Sequence, residues 1–155
     1  MKKEYSILIV ILYLLIILGL LVYFSYSLIA NPDSRFIDFK LLFSCMLIGS
    51  FGGILYCLRG AYLNYCVKDI WSDNWIPWYI IRPFVSVICG GVSYLFLKAG
   101  LLILEAQKNP DATNLGFYAF AFVAGMNVDN FLKKIEEIAE TTWGITKSRS
   151  SKSND

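Results

Sequence analysis

The sequence predicts an all-α fold: an integral membrane bundle of four transmembrane helices with a cytoplasmic amphipathic helix at the C-terminus. Three observations predict it. Of 155 residues, 57% are apolar and only 17% are charged, against about 25% charged in an ordinary soluble domain. The stretch from Ile7 to Tyr26 carries no charge, and about 20 apolar residues suffice to cross the hydrocarbon core of a bilayer. Between two further apolar runs, Tyr62, Tyr65, Trp71, Trp75 and Trp78 are interspersed with Lys68, Asp69 and Asp73. Such mixing belongs to headgroup depth, where Trp and Tyr concentrate.

The first span is expected at about residues 6–30. Lys2-Lys3 ahead of an apolar run imitates a secretory leader, but the run exceeds the roughly 7 to 15 residues of a cleaved one, and Ser25-Tyr26-Ser27 is only a weak approach to the small-x-small site that would follow one. It is therefore read as a retained anchor, ended by Asn31-Pro32-Asp33-Ser34, whose proline cannot continue a helix. The second span covers about 39–59, with Arg59 at the interface. The third covers about 79–104, with Pro83 read as a first-turn proline, and a loop around Asn109-Pro110-Asp111 follows it. The fourth, about 115–132, is the least apolar. Its run from Leu115 to Met126 reaches only about 18 Å at 1.5 Å per residue, so it crosses only by continuing straight through Val128 to Leu132. From Phe131 to Trp143, apolar Phe131, Leu132, Ile135, Ile138, Ala139 and Trp143 recur at helical spacing among Lys133, Lys134, Glu136, Glu137 and Glu140. A cytoplasmic helix over 133–144, extending the fourth span, is expected, and then a disordered Ser/Lys-rich tail over 145–155.

Basic residues orient the chain. With an even number of crossings, one side holds Lys2, Lys3, Arg59, Lys68, Arg82, Lys133, Lys134, Lys147, Arg149 and Lys152, and the other holds Arg35, Lys40 and Lys108. The positive-inside rule then puts both termini in the cytoplasm, with the bacterial inner membrane as the expected location and the lipid bilayer as the first partner.

Enzymatic chemistry is not expected. The chain has no histidine, which removes the commonest general base and metal ligand, and it carries no nucleotide-binding glycine loop. Cys45, Cys57, Cys66 and Cys89 lie in or beside apolar runs without metal-ligand spacing, so they read as buried thiols acting as small apolar side chains. No catalytic, cofactor or metal residues are assigned. The informative positions are of two other kinds. Gly49 and Gly53 form G-x-x-x-G in span two, Gly90 and Gly91 sit in span three, and Ala121 and Gly125 repeat the spacing in span four. Small residues let membrane helices approach closely, either within one chain or between copies. The second kind is charge at membrane depth. Arg59 and Arg82 can snorkel to headgroups as anchors, but Asp129 at similar depth is costly unless paired. It is expected to pair with Arg82 or Arg59, or else to face solvent. Lys98 reads as snorkelling outward, or in an oligomer as part of a basic ring. Arginines among aromatics between Gly60 and Arg82 could also hold an anionic nucleotide or lipid headgroup.

Two units carry a resemblance: Trp78-Tyr79-x-x-Arg82-Pro83 and Phe122-x-Ala124-Gly125-x-x-x-Asp129-x-Phe131-Leu132-x-Lys134-x-Glu136. Together with Leu58-Arg59-Gly60 and Lys98-Ala99-Gly100-Leu101-Leu102, they make about half the chain similar to a widespread, poorly characterised group of small bacterial membrane proteins. In size and layout the chain also resembles membrane effectors of antiphage defence systems, whose partner is a nucleotide-synthesising enzyme. That resemblance implies an oligomeric pore or ion-channel subunit gated by a cytoplasmic signal. The alternative is a non-conducting adaptor that recruits a soluble partner through its C-terminal helix.

Overall fold

The structure, a computed structural model, describes residues 3–30, 39–100 and 110–146. Its elements are α1 (Lys3–Ala30), α2 (Lys40–Tyr62), a π-helical turn (Leu63–Val67), a short 3-10 turn (Asp73–Trp75), α3 (Ile76–Lys98), α4 (Pro110–Met126) and α5 (Val128–Trp143). No strand occurs among the described residues. Three helical stretches, Glu4–Ala30, Lys40–Val67 and Asp73–Lys98, are long and apolar enough to cross a membrane. The sequence alone foresees these three.

The fourth span differs from expectation. Instead of continuing through Val128 to Leu132, the helix breaks at Asn127, which leaves helical geometry at φ −121°, ψ 54°, and α5 turns 110° away from α4. Hydrogen bonds flank the break on both sides: the Asn127 amide donates to the Val123 carbonyl and the Phe131 amide to the Asn127 carbonyl, each at 2.9 Å. The amides left without partners are therefore the first-turn groups that any new helix start leaves open. The α4 and α5 pair amounts to a broken span or a re-entrant turn, and α5 does not extend α4.

The third span is also shifted. Pro77 occupies its first turn, and Pro83 lies inside the helix. An internal proline removes one ladder hydrogen bond and pushes on the preceding turn, and in apolar surroundings neighbouring side chains re-satisfy the loosened carbonyls. Here Tyr13 of α1 donates its hydroxyl to the Ile80 carbonyl at 3.1 Å. The helix ends at Lys98 rather than Leu104, capped by Gly100 in the left-handed region (φ 72°). Leu101 to Leu104 and the loop expected around 31–38 fall outside the described residues, as does the tail from Lys147. Of the loop expected over 105–114 only 105–109 does, because α4 already begins at Pro110, a residue suited to a first helical turn.

Packing is uneven. The tight core joins α2, α3 and α4, where the expected small residues meet backbone to backbone. A methyl group on Gly49 would lie 2.8 Å from the Gly90 Cα, and one on Gly125 would strike the Gly49 carbonyl. One on Gly90 would strike the Cys45 carbonyl, and one on Gly53 the Ser86 side chain. Gly91 faces the flexible Met46 side chain instead. The glycine spacing thus serves contacts within one chain.

The first helix, α1, is attached mainly through its N-terminal half. Ser6, Ile7, Val10, Leu14 and Leu21 are buried along one stripe, whereas Val22, Tyr23, Phe24, Tyr26 and Ile29 are exposed. An apolar groove of about 430 Å³ opens between Phe24 and Leu28 on one side and Phe43, Met46, Leu47 and Val87 on the other.

Candidate functional site at the Arg82 end

One end of the bundle gathers the start of α1, the end of α2, the start of α3 and the α4/α5 break. It is built from aromatic residues around a charge. Trp71, 3% exposed, comes from the loop after α2 and donates its Nε1 hydrogen to Ser6 Oγ at 3.1 Å, tying that loop to α1. Its ring stacks on Tyr79, with centroids 5.4 Å apart, and Trp78 meets Tyr79 edge to face at 5.1 Å.

Arg82 sits one turn further along α3. Its side chain is 5% exposed, and its guanidinium carbon lies 4.9 Å from the Tyr56 ring centroid and 5.1 Å from that of Trp78. Its NH1 donates to Asp129 Oδ2 at 3.0 Å. The Asp129 side chain is 72% exposed, so both expectations for it hold together: it pairs with Arg82 and it faces outward. The pair does not involve Arg59, which is exposed. Nor does Arg82 snorkel; it turns into the protein. Its Nε and NH2 are buried without a hydrogen-bond partner. Unmet donors on a buried cation are costly, and two ring faces offset part of that cost through cation–π attraction, about 1–2 kcal/mol in desolvated sites.

Asp129 also lies in the first turn of α5, where a negative charge suits the helix dipole. Two contacts therefore hold α5 across the end of the bundle. One is this ion pair. The other is an apolar cluster in which Val128 and Phe131 join Cys89 of α3 and Ala124 of α4, with Phe131 edge to face on Phe120 at 6.0 Å. Further along α5, Leu132 and Trp143 are exposed, so its apolar face is only partly covered. Gly144, at φ 68°, ends the helix in the left-handed cap position.

Other positions separate from this end. Lys98 lies at the far end of α3, where its Nζ donates to the Tyr94 hydroxyl at 3.1 Å and sits over the same ring. Cys45, Cys57 and Cys89 are buried as expected, but Cys66 is exposed because the π-helical turn carries it out of the α2 register. Sequence reasoning missed Ser86, whose hydroxyl lies 2.9 Å from the Gly125 carbonyl and 3.0 Å from the Arg82 carbonyl. Its place four residues from both Arg82 and Gly90 was the available signal. Among the described residues, no three His, Cys, Asp or Glu side chains cluster as a metal site.

The fold and this end together define a helical protein whose three long apolar helices are compatible with membrane insertion. Comparison with known proteins finds no family model, no curated relative and no solved structure that matches the chain.

Proposed function

We propose that the protein is a non-conducting membrane adaptor that holds α5 against one face of the bilayer and offers the outer face of that helix to a soluble partner. The observation that carries this reading is the 110° turn at Asn127, fixed by the Arg82–Asp129 ion pair. A helix held across the bundle end presents Lys133, Lys134, Glu137 and Glu140 outward. Lys134 already pairs with Glu137 at 2.9 Å. Mixed charges of this kind favour recognition of a protein surface over adsorption to anionic lipid, which would call for a basic face. Arg59, Lys68, Lys133 and Lys134 at this end favour its placement in the cytoplasm of a bacterial cell.

The pore suggested by resemblance to antiphage effectors has less support. Glycine contacts close α2, α3 and α4 against one another, so a conducting path would have to form between copies of the chain. Ion flux from liposomes carrying the purified protein decides between the two: an adaptor passes no more than empty liposomes do. A photo-crosslinker at Glu140 in cells should give a discrete adduct that disappears in Asp129→Ala. Flux above background, or an adduct indifferent to Asp129, would count against the adaptor.

A further inference from the structure

A second feature of the same end concerns small molecules rather than proteins. A cavity of about 300 Å³ lies between the end of α2 and the start of α3, at the lower end of the range for ligand pockets, about 300–1,000 Å³. Its chemistry comes from an irregularity in the backbone. After Tyr62 the helix widens into the π-helical turn, marked by the Lys68 amide bonding to the Leu63 carbonyl at 2.9 Å, and such turns are frequent at functional sites. The widening brings the Asn64 amide to the Tyr79 hydroxyl, to which it donates at 3.3 Å. The chain then reverses at Asp69, a non-glycine residue at φ 48°, a conformation that persists only where the surroundings enforce it.

We propose that this cavity binds a phosphate-bearing anion, with Arg59 and Lys68 meeting its charge and Trp75 and Trp78 receiving the apolar or planar part beside it. Both cations line the cavity, and no carboxylate does. Neither takes part in the Arg82–Asp129 or the Lys134–Glu137 ion pair. Arg82, its charge met by Asp129, stands behind the wall. The Tyr56 and Trp78 rings that line the cavity are the two that hold buried Arg82, whose Nε and NH2 lack hydrogen-bond partners. The like charges of Arg59 and Lys68 at one cavity repel unless an anion joins them. Tyr79 accepts from Asn64 and keeps its own hydroxyl hydrogen as a donor. Tryptophans beside basic residues also match headgroup depth. An anionic lipid headgroup and a soluble phosphate ester share this chemistry.

The test is a tryptophan-fluorescence titration of the full chain in neutral detergent, since Trp75 and Trp78 line the cavity. Three probes are used: short-chain phosphatidylglycerol, short-chain phosphatidylcholine and ATP. Saturable binding of phosphatidylglycerol, at least about tenfold tighter than phosphatidylcholine, is expected, and binding should weaken about tenfold or more in Arg59→Gln/Lys68→Gln. Both replaced side chains are exposed, and an unchanged unfolding temperature would establish that the variant folds. Lys134→Gln, outside the cavity, should bind as the parent does. Saturable ATP binding with the same dependence on Arg59 and Lys68 would support the site with a soluble ligand as its source. No saturable binding, equal affinity for both lipids without ATP binding, or affinity unchanged in the double variant would overturn the proposal. None of these outcomes depends on whether α5 recruits a partner.

Discussion

The guanidinium of Arg82 is 5% exposed, and the Asp129 carboxylate that it bonds at 3.0 Å is 72% exposed. The two halves of this ion pair therefore tolerate separation very differently. Left alone, Asp129 returns to water. Left alone, Arg82 remains a buried cation without a counter-charge.

From that asymmetry, Asp129→Ala should destabilise the protein more than Arg82→Met does. Removing one partner of a buried pair costs about 3–5 kcal/mol, and the exposure of Asp129 moves the expected loss for Asp129→Ala toward the lower figure. Methionine at position 82 fills similar volume against Tyr56 and Trp78 with an apolar chain that packs well on rings, so about 1 kcal/mol is expected. The double variant should resemble Arg82→Met alone, because the loss from Asp129 has no charge left to expose. Unfolding titrations in detergent measure all three.

The glycine seam gives a second comparison. Gly125→Ala would drive a methyl group into the Gly49 carbonyl, backbone that cannot swing aside, and should lose about 1–3 kcal/mol as an overpacked core does. Gly19→Ala places the same methyl where nothing lies within 4 Å, and should stay within about 0.5 kcal/mol of the parent. Equal effects at the two positions would mean that α2 and α4 do not meet as described.

Thiol labelling tests both burial and sidedness. In the folded protein only Cys66 should react rapidly with a maleimide, since the other three thiols are buried. Cys66 follows α2 at the Arg82 end; with that end cytoplasmic, as proposed above, a membrane-impermeant reagent should label it in inverted membrane vesicles and not in intact cells. The reverse pattern would place that end outside.

Gly144 closes α5 in the left-handed region. Gly144→Ala meets no steric obstacle but forces a methyl-bearing residue into that conformation, at a cost of about 1 kcal/mol. Faster hydrogen exchange confined to the last turn of α5, with the bundle unchanged, is the expected result.

The long helices were legible because uncharged runs such as Ile7 to Tyr26 admit few other readings. The Arg82–Asp129 pair is legible from Asp129, a carboxylate that is costly at membrane depth unless paired, although depth does not separate Arg82 from Arg59 as its partner. The break at Asn127 was not legible. Phe131 and Ile135 keep helical spacing after Asn127, and one residue leaving helical geometry erases none of that periodicity. Cys66 reads as buried from sequence for a related reason: five residues of wider helix, Leu63 to Val67, rotate the register without changing composition. Pro77 and Pro83 both suit a helix start by residue type, and nothing in the spacing marks the earlier one as the first-turn proline of α3. The glycines were readable by spacing, but spacing names no partner, and Ser86 between them drew no notice because a lone serine in an apolar helix is unexceptional.

The attachment of α1 has a consequence for biosynthesis. Its polar ties at Ser6 and Tyr13 close onto Trp71 and Ile80, 65 and 67 residues later in the chain. At about 5–20 residues per second, a ribosome needs roughly 3 to 13 s to deliver those partners. During that interval the apolar stripe of α1 already has a partner in α2, whose Ile54 and Cys57 share its buried cluster, and the hydrogen bonds to Trp71 and Ile80 close afterwards. The direction of translation therefore orders two kinds of contact, the apolar one between α1 and α2 first and the polar ties to the aromatic end last.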